Sequence, residues 1–409
     1  TMGIIHSLLD IDFYKLTMAQ VAWKHFRNVP VTYGFKNRTI SVPLALWIRR
    51  EDLEAEFESV RRLCFTEEEI AYLRESEFIK RGLFGEEFLE FLKNLKLPPV
   101  IVKIRDEQFQ IEVGGAWSEA IFWETIILGI VNELYYQSLE KMGAFNLSDA
   151  YAEGVKRLGE KIKILQDHPN IKIIEFGTRR RFSRDWQKYV LSELAKNVPD
   201  QLLGTSNTLL AKELGLRPIG TFAHEMYMVF SGIFSESDEV IRASHNKVLE
   251  MWRQEYGESL SIALTDTYGS DFFFRDFTKE QAQKWRGLRQ DSGDPIVFGE
   301  KAIAFYERLS IDPCEKLIVF SDGLDINAIV KIADHFSGRI QIAFGWGTNL
   351  TNDLGLKALS LVVKVTEANG FKTVKLSDNL AKVTGSPEDI ERFKRIFGYA
   401  GAEFQPTIY

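Results

Sequence analysis

The feature that most constrains this fold is a serial alternation of short apolar runs and helical segments between residues 151 and 354. Each run is followed closely by Gly, Asp, Ser, Thr or Arg. The seven runs are residues 171–174, 201–203, 218–219, 262–264, 288, 317–320 and 340–344. Strands that alternate with helices pair in parallel, and seven such units suggest closure into a barrel. The sequence therefore predicts an α/β barrel of about seven parallel strands, with functional groups where the strands end.

The flanking segments have a different pattern. Residues 1–150 mix amphipathic helices with a hairpin predicted over residues 100–113, which is typical of an α+β unit. Asp10 or Asp12 is predicted to cap the first helix, and Thr66–Glu69 is predicted to start another with a capping box. A second hairpin is predicted around Asn369-Gly370, a dipeptide that favours tight turns between strands. We therefore predict two domains: an α+β domain formed by residues 1–150 with residues 355–409, and the barrel over residues 151–354.

Composition excludes several classes of partner. The net charge of −7 and the pI of about 5.6 argue against general binding to nucleic acid. Cys64 and Cys314 are too few for a disulfide framework or a thiolate metal site, which fits a reducing cytoplasm. The longest apolar stretch, residues 120–136, is interrupted by two glutamates and an asparagine, which argues against a membrane span. We expect a cytoplasmic protein without nucleic acid or membrane partners.

The stretch Gly220–Met228 places His224 where an apolar run meets a helical segment. An imidazole at a strand-to-helix turn can accept a proton or a phosphoryl group near neutral pH. The alternative is a core histidine that is hydrogen-bonded to a backbone carbonyl. Both interpretations remain open for this residue taken alone.

Two glycine-containing loops follow the last two predicted strands. They are Ser321-Asp322-Gly323 and Gly345-Trp346-Gly347-Thr348. Backbone N–H groups in such loops can surround a phosphate. The alternative is that the glycines only allow tight turns between strand and helix.

Carboxylates also lie at predicted strand ends. Asp266, Asp291 and Asp294 could hold Mg²⁺ against a diphosphate or contact sugar hydroxyls. Each of them could instead cap a helix or form a turn. The aspartates therefore predict either a metal and sugar site or ordinary capping.

Cationic and aromatic side chains accompany these carboxylates. Arg289 and the run Arg179–Arg181 are fixed donors suited to phosphate or carboxylate. Phe176 and Tyr14 could enclose a flat heterocycle, although a single aromatic residue is more often part of a core. Together with the glycine loops, these residues suggest a phosphorylated sugar that meets a heteroaromatic base.

Eight stretches, taken in order, resemble the motifs of the nicotinate phosphoribosyltransferase family. They are Tyr14–Ala19, Glu175–Arg180, Gly204–Asn207, Gly220–Glu225, Leu264–Tyr268, Arg289–Asp294, Ser321–Asp325 and Phe344–Thr348. The resemblance runs from about residue 8 to residue 385. It implies a type II phosphoribosyltransferase with an irregular α/β barrel and a domain formed by the two ends of the chain.

The resemblance also implies an activity. Nicotinate and phosphoribosyl pyrophosphate would give nicotinate mononucleotide and pyrophosphate, with Mg²⁺, in NAD salvage. ATP hydrolysis would be coupled to the transfer through a phosphohistidine, and His224 matches that position. A homodimer with shared active sites is implied, with Tyr14 entering from the partner.

Site residues carry over position by position. Tyr14 and Phe176 would stack on the pyridine ring, with Thr221 and Arg289 near its carboxylate. The groups that would contact phosphates, ribose or metal are Arg38, Arg179, Asp266, Asp291, Gly323, Gly345, Gly347 and Thr348. Lys364, Lys375 and Lys382 match less closely, and no role is assigned to them.

Ser206 bears on substrate choice, because nicotinamide-using relatives carry an aspartate at the matching position. An uncharged side chain there favours the anionic base, nicotinate. Ser206 could instead only cap the helix that follows it. A nicotinamide-using relative and a catalytically silent ligand-binding homologue remain the alternatives. A sugar-phosphate isomerase or aldolase is less favoured, because it would need a Schiff-base lysine or a glutamate base at a strand end and no polar cluster suggests that role.

Overall fold

The computed structural model describes residues 3–402 and residue 405. Eighteen α-helices lie in these residues: α1 Phe13–His25, α2 Leu44–Trp47, α3 Arg50–Arg61, α4 Glu67–Glu75, α5 Glu86–Lys93, α6 Trp117–Ala120, α7 Trp123–Lys141, α8 Leu147–Asp167, α9 Arg184–Asn197, α10 Thr208–Leu214, α11 His224–Ile233, α12 Asp238–Tyr256, α13 Ser270–Asp276, α14 Lys279–Lys284, α15 Pro295–Arg308, α16 Ile326–Phe336, α17 Thr348–Thr351 and α18 Pro387–Phe397. Eleven strands accompany them: β1 Pro30–Asn37, β2 Val100–Arg105, β3 Gln108–Ala116, β4 Ile173–Glu175, β5 Leu202–Thr205, β6 Ile262–Leu264, β7 Gly287–Gln290, β8 Leu317–Phe320, β9 Gln341–Trp346, β10 Leu361–Ala368 and β11 Phe371–Lys372.

The chain divides into two compact units. The first takes in residues 3–220 together with Trp346–Lys364, and the second takes in Thr221–Gly345 and the described residues from Val365 onward. These units are defined by compactness, whereas the division predicted at residues 150 and 354 marks a change of fold class along the chain. The predicted division stays a prediction. Residues 1–2, 403–404 and 406–409 of the predicted α+β domain lie outside the described residues.

A five-stranded antiparallel sheet has the order β11-β10-β1-β3-β2. Both predicted hairpins are present, β2–β3 and β10–β11. Their turns contain residues with positive φ, namely Asp106 at 50°, Glu107 at 60° and Asn369 at 53°. Such turns match the twist of paired strands, which explains why the local sequence predicted them.

A six-stranded parallel sheet has the order β5-β4-β9-β8-β7-β6. Parallel pairing and six of the seven predicted strands are confirmed. The seventh run, residues 218–219, is not a strand but a single bridge between Pro218 and Thr205. The bridge is held by hydrogen bonds from Thr205 N–H to the Arg217 carbonyl and from Ile219 N–H to the Thr205 carbonyl, and Pro218 has no N–H to donate to a second neighbour. No closed barrel is present in the part of the chain that the structure describes, where β5 and β6 are the edge strands.

Helix starts follow the capping signals in the sequence. Thr66 and Glu69 form the predicted capping box at the start of α4. Asp12 precedes α1 as predicted, yet its side chain does not cap the helix. Its carboxylate has other partners, described below. No described helix has the length and apolar character needed to cross a bilayer.

Candidate active site

His224 is the first residue of α11 and is 4% exposed. Its Nδ1 lies 2.8 Å from Thr267 Oγ1, and its Nε2 lies 2.9 Å from Asp291 Oδ2. Asp266 Oδ1 is 3.8 Å from the same Nε2. Both ring nitrogens therefore face polar side chains, and the alternative of a core histidine bonded to a backbone carbonyl is wrong.

The surroundings of His224 keep its ring neutral. Burial, followed by the positive charge of Lys375, lowers the pKa of His224 to about 3, although Asp266 and Asp291 oppose the shift. A neutral imidazole has one nitrogen lone pair, which is the requirement for a nucleophile. One ring nitrogen of His224 therefore keeps a lone pair at neutral pH.

The predicted carboxylate pair lies beside this ring. Asp266 is 1% exposed, and its Oδ2 accepts a hydrogen bond from Ser292 Oγ. Its Oδ1 has no hydrogen-bond partner among the described residues. Asp291 is half-buried and accepts from Ser321 Oγ at 3.2 Å. A buried carboxylate oxygen without a donor, beside a second carboxylate, fits the oxygen ligands that Mg²⁺ prefers.

Cationic groups surround Asp291. Burial raises its pKa, but the hydrogen bond from His224, followed by the charges of Arg289 and Lys382, brings the pKa well below its usual range. Lys382 Nζ donates to the backbone oxygen of Asp291 at 2.7 Å and also to Asp322. Asp291 therefore stays a carboxylate at neutral pH, within reach of donors suited to phosphate.

Three further predicted residues of the second unit, Thr221, Gly323 and Gly345, lie in turns or strands, where they contact or shape the backbone. Thr221 Oγ1 donates to the carbonyl of Ile262, the first residue of β6, at 3.1 Å. Gly323 is exposed and has a φ of 53°, which an L side chain rarely adopts, so this turn requires glycine. Gly345 lies in β9 and is buried. The structure thus supports the turn interpretation for Gly323, and it leaves the phosphate role as a prediction.

In the first unit, three predicted residues converge on one carboxylate, Asp12. Ser206 Oγ donates to Asp12 Oδ1 at 2.7 Å, and Tyr14 OH donates to Asp12 Oδ2 at 3.1 Å. Arg179 Nε lies 3.5 Å from the same Oδ2, and its guanidinium carbon is 5.8 Å from the centre of the Tyr14 ring. Asp12 therefore fixes the relative positions of side chains that lie far apart in the sequence.

Phe176 and the loop from Gly347 to Thr351 are tied to each other. Phe176 N donates to the carbonyl of Trp346 at 2.8 Å. Thr351 Oγ1 donates to the carbonyl of Gly177 at 2.8 Å. A Cβ on Gly177 would lie 2.1 Å from Thr351 Oγ1, so only glycine allows this approach. Phe176 and Thr348 are both half-buried beside this contact.

A second group of charges in this unit is centred on Glu124. Lys15 is fully buried and its Nζ is 2.7 Å from Glu124 Oε2, while Arg179 NH1 is 3.4 Å from Oε1. Burial raises the pKa of Glu124, but Lys15, Arg179 and Lys364 lower it to about 2 overall. Arg38 is half-buried at the end of β1, where its N–H donates to the carbonyl of Ser360 at 2.8 Å. Arg179 and Lys364 therefore act on the same carboxylate.

Several groups in these clusters were missed by sequence reasoning. Asp12 was interpreted only as a helix cap, and Thr267, Glu124 and Lys15 were not assigned a role. Asp378, from the C-terminal segment, accepts from the backbone N–H of Ser270 at 2.8 Å. Burial, followed by the charge of Asp266, raises the pKa of Asp378 to about 7. The one available signal was position, because Asp12 and Lys15 flank Tyr14 and Thr267 follows Asp266.

Comparisons with known proteins identify the family of the chain. A sequence model of the nicotinate phosphoribosyltransferase (NAPRTase) family matches residues 171–400, and one of the NAPRTase N-terminal domain matches residues 9–132. The crystal structure of nicotinate phosphoribosyltransferase from Vibrio cholerae is 33% identical with a TM-score of 0.86, covering 97% of this chain and 94% of that one. The crystal structure of the Porphyromonas gingivalis enzyme is 32% identical with a TM-score of 0.86, covering 97% and 100% of the two chains. The chain therefore belongs to the nicotinate phosphoribosyltransferase family, the phosphoribosyltransferases of NAD salvage.

Proposed function

We propose that this enzyme joins nicotinate to phosphoribosyl pyrophosphate, forms nicotinate mononucleotide and pyrophosphate, and couples the transfer to ATP hydrolysis through a phosphohistidine at His224. The observation that carries the ATP step is the neutral, buried ring of His224 between Thr267 and two carboxylates. Family membership carries the transfer step.

In the transfer, the bond between the ribose anomeric carbon and the pyrophosphate oxygen breaks, and a bond from that carbon to the pyridine nitrogen forms. Positive charge develops on the sugar and negative charge on the leaving group. Lys375, near His224, and Lys382, near Asp291, are cations that would stabilise the leaving pyrophosphate. Mg²⁺ held by Asp266 and Asp291 would neutralise further charge on that group.

Ring placement supplies the orientation. Tyr14 and Phe176 are proposed to lie against the two faces of the pyridine, which holds its nitrogen in line for attack. Thr221 and Arg289 are proposed near its carboxylate, and Gly323, Gly345, Gly347 and Thr348 near the 5′-phosphate. Tyr14 is proposed to complete the site of a partner chain in a homodimer. Arg38 and Arg179 are proposed to face phosphates.

In the ATP step, the lone-pair nitrogen of His224 would attack the γ-phosphorus, the bond to the bridging oxygen would break, and ADP would leave. The other ring nitrogen keeps its proton, and hydrolysis of the phosphoramidate returns the neutral ring. Thr267 Oγ1 can accept or donate, so either tautomer has a partner at 2.8 Å. The added negative charge beside Asp291 would favour a different arrangement of the nearby cations.

The test is a product assay on the purified chain with nicotinate, phosphoribosyl pyrophosphate and Mg²⁺, with and without ATP. We expect nicotinate mononucleotide in both cases and a higher yield with ATP, with ADP formed alongside. In the His224→Ala variant we expect residual transfer without the response to ATP. Absence of the mononucleotide would contradict the transfer, and an unaltered ATP response in the variant would contradict the role of His224.

A further inference from the structure

Three ligand-type atoms converge beside α11. His224 Nε2, one oxygen of Asp266 and one oxygen of Asp291 all lie within 4.8 Å of one another. Nε2 is 2.9 Å from Asp291 Oδ2 and 3.8 Å from Asp266 Oδ1. Ligand atoms around a first-row divalent ion at about 2.1 Å are roughly 3–3.5 Å apart, so small side-chain shifts would close this set on one ion.

A second observation points to a ligand here. Asp266 is 1% exposed, and its Oδ1 has no hydrogen-bond partner among the described residues. Its other oxygen is held by Ser292 Oγ, so the side chain is fixed with Oδ1 on the side of the imidazole. A buried, desolvated oxygen without a donor loses free energy unless a cation satisfies it.

Thr267 provides the support that a metal-bound histidine requires. A ring that binds a metal through Nε2 must carry its proton on Nδ1 and donate it to an acceptor. Thr267 Oγ1 is that acceptor, at 2.8 Å from Nδ1. The hydrogen bond from His224 Nε2 to Asp291 would then be lost, and the imidazole and the carboxylate would both bind the metal ion.

From this geometry we infer that His224, Asp266 and Asp291 form a site for a nitrogen-accepting divalent cation of the Mn²⁺, Co²⁺ and Zn²⁺ class, and that the occupied site blocks phosphorylation of His224. The imidazole suits these ions better than Mg²⁺, which prefers oxygen and would use only the two carboxylates proposed above to hold it. The two kinds of ion would therefore compete for Asp266 and Asp291. The metal site stands on the geometry alone, whereas its effect on phosphorylation rests on the function proposed above.

The two states exclude each other at the level of the ring. With a metal on Nε2 and a proton on Nδ1, neither nitrogen has a free lone pair for the γ-phosphorus of ATP. With a phosphoryl group on either nitrogen, the ring can no longer satisfy both the metal and Thr267. Arg289, Lys375 and Lys382 are cations close to this site and will weaken metal binding. Binding is therefore expected to be reversible rather than permanent.

The experiment uses Co²⁺ added to the full chain after chelator treatment, followed by visible absorption and by labelling with γ-³²P ATP. We expect one Co²⁺ per chain with a ligand-field spectrum of mixed nitrogen and oxygen donors. His224→Gln and Asp266→Asn should abolish that spectrum, and Thr267→Val should weaken binding about tenfold, because the acceptor for Nδ1–H is lost. His335→Gln is the matched control, because His335 forms an exposed pair with Glu300 at 2.7 Å and should leave the spectrum unchanged.

The labelling arm separates this inference from the proposed function. Label that forms with Mg²⁺ and ATP in protein free of Co²⁺, and that falls as the cobalt spectrum rises, supports both. A cobalt spectrum in a protein that never takes up label would support the metal site and contradict the proposed phosphohistidine. Absence of a cobalt spectrum, or label uptake that is unchanged at saturating Co²⁺, would overturn the inference.

Discussion

Ser206 Oγ donates a hydrogen bond of 2.7 Å to Asp12 Oδ1, across 194 residues of sequence. Asp12 is 1% exposed. Burial raises the pKa of Asp12, and the charge of Arg179, followed by the bonds from Ser206 and Tyr14, partly offsets that rise. The hydroxyl proton of Ser206 is thus committed to Asp12. What Ser206 can offer a substrate carboxylate is the absence of a negative charge.

The first prediction concerns substrate choice. Ser206→Asp should reduce kcat/KM for nicotinate far more than for nicotinamide, because a second carboxylate would face the anionic base. At ~4 Å and an effective dielectric near 20, such a pair costs on the order of 4 kcal/mol, before relaxation or protonation reduces it. The measurement is kcat/KM for both bases in wild type and variant.

Ser206→Ala is the control, because it removes the hydroxyl without adding charge. We expect it to affect both bases to a similar extent, by about tenfold or less, since one hydrogen bond is lost. A ratio of the two bases that is unchanged by Ser206→Asp would move selectivity to other residues.

The second prediction concerns assembly. If Tyr14 completes the site of a partner chain, Tyr14→Ala and His224→Ala chains should each be impaired, while mixed dimers should carry one site free of both changes. Co-refolding the two variants should recover part of the ATP-stimulated activity. Mixed dimers that form without any recovery would show that Tyr14 serves its own chain.

The third prediction is a pH dependence of stability. Burial raises the pKa of Glu133, in α7, to about 7, although Arg181 and a bond from the Arg184 backbone oppose the shift. Since the folded pKa lies above the unfolded value, stability from this group is complete below about pH 4.3 and is lost as pH rises to 7. Glu133→Gln should therefore be more stable than wild type at pH 8, by about 2 kcal/mol, and the difference should shrink at pH 5.

Urea unfolding at the two pH values measures this difference. Glu140→Gln, an exposed substitution on the same helix, is the control and should show no such dependence on pH. Equal effects of Glu133→Gln at pH 5 and pH 8 would mean that Glu133 is not protonated in the folded chain.

The fourth prediction concerns the loop that carries Gly347 and Thr348. Lys161, on α8, is 7% exposed, donates to the carbonyl of Asn349 and lies 2.6 Å from Asp353 Oδ2. Lys161→Met should loosen this loop and raise KM for phosphoribosyl pyrophosphate about tenfold, with a smaller effect on KM for nicotinate. Lys161→Arg should raise this KM less than Lys161→Met does. Lys163→Met, at an exposed position on the same helix, should leave both KM values unchanged. Equal changes in both KM values would indicate a general loss of stability.

Local signals in the sequence account for much of the fold. The turns at Asp106-Glu107 and Asn369-Gly370 have backbone conformations that few residues favour, so neighbouring residues were enough to predict both hairpins. The start of α11 at His224 and the capping box at Thr66 were predictable for the same reason. Residues 218–219 were misread because an apolar pair resembles a short strand, whereas in the structure Pro218 forms only a single bridge with Thr205.

Contacts between distant residues were not predictable from spacing. Asp12 is a good helix cap by type, and only the fold brings Ser206 and Arg179 to its carboxylate. Asp378 approaches Ser270 across 108 residues, and neither stands in a motif that suggested the pair. Such partners are set by how strands are ordered in a sheet, which a single sequence does not contain.

The most direct test of this account follows a phosphoryl label on His224. The chain is labelled with γ-³²P ATP, freed of nucleotide, and then given nicotinate and phosphoribosyl pyrophosphate. We predict an acid-labile, base-stable label that is absent from His224→Ala and that is released as inorganic phosphate while nicotinate mononucleotide forms. A label that persists in His224→Ala, or that stays on the protein while the mononucleotide accumulates, would contradict the account.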